Sequence, residues 1–199
     1  GPGAEPSWEA LLTLQQRWRS RIDLQLVALV PLAFWCSAEA EDLARRVAAS
    51  GGCLGGVLTP PCGSAEVMHQ LERLLRLADR YSCGVDLHID EADHGPAEGM
   101  VQLLKALRRV PVQVPVTCSH ASSLSLLPAP RLVRLAEHMA AAQLRVIALP
   151  LTNAWLLARS EGATPLQRPQ APIRQSQRCG VSVAVAGDNV ADPWFPGGD

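Results

Sequence analysis

Gly84-Val85-Asp86-Leu87-His88-Ile89-Asp90-Glu91 begins as an apolar run and ends in a cluster of ionisable groups. Its first residues are strand formers, and its last residues place an imidazole and carboxylates where a strand would end. Similar runs recur on both sides of it: Leu24–Val30, Cys53–Leu58, Val114–His120, Leu144–Pro150 and Val181–Gly187. Each has the continuous apolar character of a parallel strand buried on both faces. Segments of helical period separate them: Ala38–Ser50, Ser64–Tyr81, Pro96–Arg109, Pro128–Ala142 and the shorter Pro172–Cys179, with Pro6–Ser20 ahead of the first strand. Strand starts fall about 30 residues apart, the length of a βαβ unit. Ser37 and Ser64 are suited to capping helix N-termini, Pro96 and Pro128 to first turns, and Gly51-Gly52 and Gly180 to left-handed helix stops.

Alternating strands and helices specify an α/β fold with a parallel sheet. The sheet is either open and doubly wound or closed into a barrel. No G-x-G-x-x-G and no G-x-x-x-x-G-K-[ST] follows a strand, which removes the nucleotide-binding signature of the open sheet. Ionisable and polar residues instead sit at the C-terminal ends of several strands: His88 and Glu91, His120, Asn153 and Asp188. Barrel active sites are built in that way. The expectation is a single incomplete (β/α)-barrel domain over residues 1–199 with about six β/α units.

Composition narrows the classes of function. Of the 199 residues 48% are hydrophobic and 19% charged, a globular balance. With 18 basic and 19 acidic residues the formal charge is −1, which offers nothing to nucleic acid or to an anionic membrane. No apolar run approaches the roughly 20 residues of a membrane span. The six cysteines form no C-x-x-C pair and several lie in apolar runs, as reduced, buried thiols in a cytoplasmic protein do.

His88 and Glu91 form H-x-x-E at a strand terminus. Neutral imidazole binds divalent metal, and a carboxylate beside it can carry a proton. His120 ends the next strand in Ser119-His120-Ala121-Ser122 and needs a polar partner. Asp188, in Gly187-Asp188-Asn189, would aim a third group at the same mouth, and Trp194 and Phe195 follow as aromatic walls for a planar substrate. Each group also has an ordinary structural reading: a satisfied core histidine, a turn aspartate, an aromatic packed under a loop. His69 and His138 lie within helices as surface residues, and His94 sits in a loop beside Asp93. Convergence at three strand ends separates the first set from these, because buried ionisable groups are costly unless they are paired or bound to metal.

In Val85-Asp86-Leu87-His88-Ile89-Asp90-Glu91, Thr117-Cys118-Ser119-His120, Ala148-Leu149-Pro150-Leu151-Thr152-Asn153 and the run from Gly187 to Pro196, the chain resembles the cytosine deaminase branch of the metal-dependent amidohydrolases. The likeness implies a (β/α)8 TIM barrel and hydrolytic removal of an amino group from a heterocycle such as a pyrimidine, triazine or pterin. It implies one divalent metal ion, Zn or Fe. It makes His88 and Asp188 metal ligands, Glu91 the proton shuttle, His120 the partner of the attacking oxygen, and Asp188 also the acceptor of its proton. Trp194, Asn189 and Asn153 fall at substrate-binding positions. Ile22-Asp23-Leu24-Gln25-Leu26-Val27-Ala28 resembles the third barrel strand, so the units are expected to be strands three to eight. The H-x-H pair of the family's first strand is not in this chain. The isolated chain is therefore expected to carry only part of the metal site, with no metal bound and little activity of its own. A homo-oligomer or a complementing chain is an expected partner. The other reading is a non-catalytic, degenerate barrel that serves as a binding or assembly protein.

Overall fold

The computed structural model describes residues 4–188. Its framework is one six-stranded sheet: β1 (Val27–Pro31), β2 (Cys53–Leu58), β3 (Gly84–Ile89), β4 (Val116–His120), β5 (Arg145–Ala148) and β6 (Ser182–Val185). The spatial order is β1-β2-β3-β4-β5-β6, and each adjacent pair is parallel. A doubly wound sheet reverses its order at a switch point; this one never does, which is the strand order of a (β/α) barrel.

Helices α1 (Ala4–Trp18), α2 (Ala40–Ala49), α3 (Ala65–Arg80), α4 (Glu98–Arg109), α5 (Ala129–Ala141), α6 (Pro150–Leu156) and α7 (Ile173–Arg178) precede or connect the strands. The core lies between sheet and helices. Leu54, Leu87, Ile89 and Cys118 pack from the strands against Leu71, Leu74, Leu75, Met100, Leu103 and Met139, all fully buried. Trp35 is also fully buried, and its indole N–H donates to the Gly55 carbonyl at 2.9 Å. A buried indole needs that partner.

Strand alternation gives the sheet two faces. On one face, ladder pairing places Val57, His88, Ser119, Ile147 and Ala184 in a row, with Asp86, Thr117, Arg145 and Ser182 in the row below. That face carries the polar and exposed side chains of the sheet; the helices cover the other.

Several local expectations hold. The Ser64 hydroxyl caps α3 by accepting the Val67 N–H at 3.1 Å. Gly51 and Gly180 stop α2 and α7 at φ +67° and +90°, conformations that cost a side-chain-bearing residue energy. Others need correction. Glu39, not Ser37, occupies the N-cap of α2, and the Ser37 hydroxyl has no partner among the described residues. Pro96 precedes α4, whose N-cap is Ala97 in a left-handed conformation. The first strand begins at Val27 rather than Leu24, because pairing with Cys53 starts there. Residues 150–156, read as the end of a strand and the loop after it, form α6 with Pro150 in its first turn. All six cysteines are free thiols, four of them buried. No helix among the described residues is long and apolar enough to cross a membrane.

Candidate metal and proton-transfer site

The C-terminal ends of β3, β4 and β6 and the start of α6 bring five polar side chains together. His88 stands on β3 and His120 ends β4. Glu91 follows β3 directly, Asp188 follows β6, and Asn153 lies within α6. His120 and Asn153 are buried, Glu91 and His88 are partly buried, and Asp188 is exposed.

Nε2 of His120 lies 3.0 Å from Nδ1 of His88. On its other side, Nδ1 of His120 faces two groups: Nδ2 of Asn153 at 3.1 Å and Oε1 of Glu91 at 3.4 Å. Glu91, His120 and Asp188 each offer a ligand atom, and these three atoms lie within 4.8 Å of one another. Asp86 sits deeper on β3 and accepts a hydrogen bond from the Ser119 hydroxyl at 3.1 Å.

The environment fixes charge. Burial pushes the His120 imidazole down to about 4, and the neighbouring His88 pushes the same way. His120 is therefore neutral at pH 7. Burial raises the Glu91 carboxyl, and the nearby negative charge of Asp188 raises it further. Burial also raises Asp86, against the Ser119 hydrogen bond that stabilises its charged form. A carboxyl raised by desolvation holds its proton more readily than an ordinary carboxylate and can act as a proton donor, beside an imidazole that stays neutral.

Two proton placements satisfy the His88–His120 contact. If Asn153 donates to Nδ1 of His120, then His120 carries its proton on Nε2 and gives it to His88. That placement leaves Oε1 of Glu91 and Oδ1 of Asn153 buried without hydrogen-bond partners among the described residues. If instead Nδ1 of His120 carries the proton, Oε1 of Glu91 faces a donor, and turning the Asn153 amide brings its oxygen to the same N–H. Amide orientation and tautomer are set by the hydrogen-bond network, and the second placement gives the buried Oε1 of Glu91 a donor. It also makes His88 the donor through Nδ1, which leaves the lone pair of its Nε2 free.

The donor types fit a divalent cation. Imidazole nitrogen and carboxylate oxygen are ligands of zinc-type ions, and a buried carboxylate oxygen with no partner is what a cation or a shared proton would satisfy.

Of the residues singled out from the sequence, the structure gathers His88, Glu91, His120, Asn153 and Asp188. Asn189 and Trp194 lie outside the described residues. His69 and His138 are exposed on α3 and α5. His94 pairs with Asp93 at 2.9 Å on the surface. Sequence reasoning passed over Asp90, Ser119, Ser122 and Ser123, which bind the site's loops together. A signal was present for Asp90, an acidic residue at the end of an otherwise apolar strand.

No protein-family model matches the chain. It is 32% identical over 194 residues to the pterin deaminase of Rhizobium rhizogenes, across 97% of this chain and 44% of that protein. It is 25% identical over 193 residues to the N-isopropylammelide isopropyl amidohydrolase of a Pseudomonas species, across 96% of this chain and 44% of that protein. The crystal structure of 5-methylcytosine deaminase from Klebsiella pneumoniae, liganded with 5-fluorocytosine, matches with a TM-score of 0.75 at 26% identity, across 96% of this chain and 46% of that one. The chain spans less than half the length of each of these relatives. It is therefore related to these deaminases and amidohydrolases, and its described residues carry six parallel strands, with helices between them, of their kind of barrel.

Proposed function

We propose that the protein is a metal-dependent hydrolase that removes an amino group from a nitrogen heterocycle, a pyrimidine, triazine or pterin. The convergence of Glu91, His120 and Asp188 within 4.8 Å carries the reading, and the names of the relatives supply the substrate class. His88, through its free Nε2, and Asp188 would hold the ion. A divalent ion held there would act as a Lewis acid, lowering the pKa of bound water toward about 7.

The chain's own groups carry the protons. Asp188 accepts a proton from the attacking water as its oxygen approaches the electron-poor ring carbon. Glu91, with its raised pKa, delivers its proton to the ring nitrogen, takes up the proton that Asp188 drew from the water and passes it to the departing amine; the hydroxyl proton released as the carbonyl forms restores Glu91. His120 stays neutral; its Nε2 is held by His88, and its Nδ1, which faces Asn153 and Glu91 in this structure, would turn to the attacking oxygen. Asn153, Asn189 and Trp194 are proposed to contact the substrate, Trp194 by lying against a planar ring. The chain supplies two ligands to the ion in this scheme, and the rest of the coordination is proposed to come from outside it, from a further part of the same protein or from a complementing chain.

The test is ammonia release by the full-length protein, supplied with Zn(II) or Fe(II), from a panel of aminated pyrimidines, triazines and pterins. Turnover of at least one ring, lost in Glu91→Gln, supports the reading. A full-length protein that holds no metal and turns over none of them supports the non-catalytic barrel instead.

A further inference from the structure

Asp90 is fully buried at the mouth of the sheet and tied on every side. Its carboxylate accepts two backbone N–H groups from the first turn of α4, Gly99 onto Oδ1 and Met100 onto Oδ2, both at 2.8 Å. Its own N–H donates to the Leu58 carbonyl at the end of β2, at 3.0 Å. Its carbonyl accepts from the Ser123 N–H and from the Ser122 hydroxyl, both at 3.0 Å, in the segment that follows β4. The Ser123 hydroxyl accepts the Ala97 N–H at 3.0 Å, which returns the network to the start of α4.

Capping explains only part of this. A helix N-terminus has orphaned N–H groups that a carboxylate satisfies, and any acceptor at that position would do so. The backbone is what capping leaves unexplained. Asp90 has φ +55°, and on the adjacent strand His120 and Ala121 have φ +70° and +51°. Left-handed backbone at residues other than glycine is strained and persists only where the surroundings impose it. Asp90 takes part in both reversals. The first turns the chain out of β3 at the residue before Glu91. The second follows His120 and is pinned by Ser122 and Ser123 on the Asp90 carbonyl and by the Ala121 N–H on the Ile89 carbonyl at 2.9 Å.

We infer that Asp90 is a positioning residue that fixes the Glu91 carboxylate against the His120 imidazole by locking the ends of β3 and β4 to each other and to α4. Its importance for catalysis rests on the function proposed above; its geometric effect does not. Asp90 touches no reacting atom and acts through the two residues it holds.

The test uses this chain, free of metal and labelled with ¹⁵N-histidine, at a temperature where far-UV circular dichroism shows each variant folded. Glu91→Gln replaces the carboxyl facing His120 with an amide and shifts the His120 ring nitrogens. Asp90→Asn keeps the shape but turns an N–H donor toward one of the two α4 N–H groups. It is expected to shift the same nitrogens in the same direction. A residue that only caps α4 would lower the melting temperature and leave His120 where it was. Unmoved His120 resonances in folded Asp90→Asn overturn the inference, and so does an unmoved His120 in Glu91→Gln. If Asp90→Asn does not fold, Ser122→Ala carries the test, since it deletes one donor to the Asp90 carbonyl; a smaller shift in the same direction supports the inference, and no shift overturns it. A protein that shows these shifts but deaminates nothing overturns the proposed function and leaves the role of Asp90 standing.

Discussion

Nε2 of His120 and Nδ1 of His88 face each other at 3.0 Å, so the two imidazoles share one proton. The position of that proton decides what His88 can do. With the proton on Nδ1 of His88, its Nε2 is a lone pair available to a metal; with the proton on Nε2 of His120, it is not. The buried Oε1 of Glu91, 3.4 Å from Nδ1 of His120 and otherwise without a partner, favours the first placement. Long-range ¹H–¹⁵N spectra at pH 7 are expected to show His88 protonated at Nδ1 and unprotonated at Nε2. The opposite tautomer would remove His88 from the proposed ligands.

The charge state of His120 predicts a pH dependence of stability. Its folded value of about 4 lies below the ordinary 6.5. Between these values the unfolded chain binds a proton that the folded chain refuses, so this contribution is complete above about 6.5 and is lost as pH falls toward 4. Buried Asp90 works in the opposite sense. It is raised from 3.8 to about 6 by burial, and it favours the folded state toward low pH over an overlapping window. The difference between wild type and His120→Gln isolates the histidine. Urea unfolding in the presence of a chelator is expected to show that difference shrinking by up to about 3 kcal/mol from pH 6.5 to pH 4. A constant difference would show that His120 titrates normally.

Glu91→Gln tests the proton carrier. The Glu91 side chain is partly buried and its Oε1 faces Nδ1 of His120 at 3.4 Å, a contact the glutamine oxygen can keep, so the amide is accommodated with little change in stability. Loss of a general acid costs about 100-fold to 10,000-fold in rate. The full-length variant is expected to lose kcat by that order and to keep its melting temperature within a few degrees. Undiminished turnover would remove Glu91 from the mechanism.

Gly99→Ala tests the packing beneath the site. A Cβ there would meet Ile89 Cγ1 at 2.9 Å, Asp90 Oδ1 at 3.0 Å and the Leu58 carbonyl at 3.0 Å. Two of these neighbours are held in place by the Asp90 network, so neither can give way freely. A loss of about 1–3 kcal/mol is expected in chemical unfolding, the usual cost of overpacking. Alanine is the better helix former, so an unchanged stability would show that α4 shifts easily.

The apolar runs made the strands legible, because a parallel strand covered on both faces must be apolar along its length. β2 and β3 fall where the runs place them. β1 does not begin where its run begins, since Leu24 and Leu26 are apolar but pairing starts at Val27. α6 was hidden for a related reason. Leu149, Pro150 and Leu151 continue the apolar character of β5, and only the backbone shows that Pro150 opens a helix. At the site, His88, Glu91, His120 and Asp188 were legible as chemistry at strand ends. The left-handed turns at Asp90, Ala97 and His120 were not. No glycine marks them, and tertiary hydrogen bonds hold them. Those turns give Glu91 and His120 their shared direction.

The most direct measurement is ammonia release by the full-length, metal-loaded protein from aminated pyrimidines, triazines and pterins, read beside Glu91→Gln and Asp188→Asn. The account predicts release from at least one ring, with both variants lowered about 100-fold or more. A metal-loaded protein that releases no ammonia from any of them, or variants as active as wild type, would contradict it.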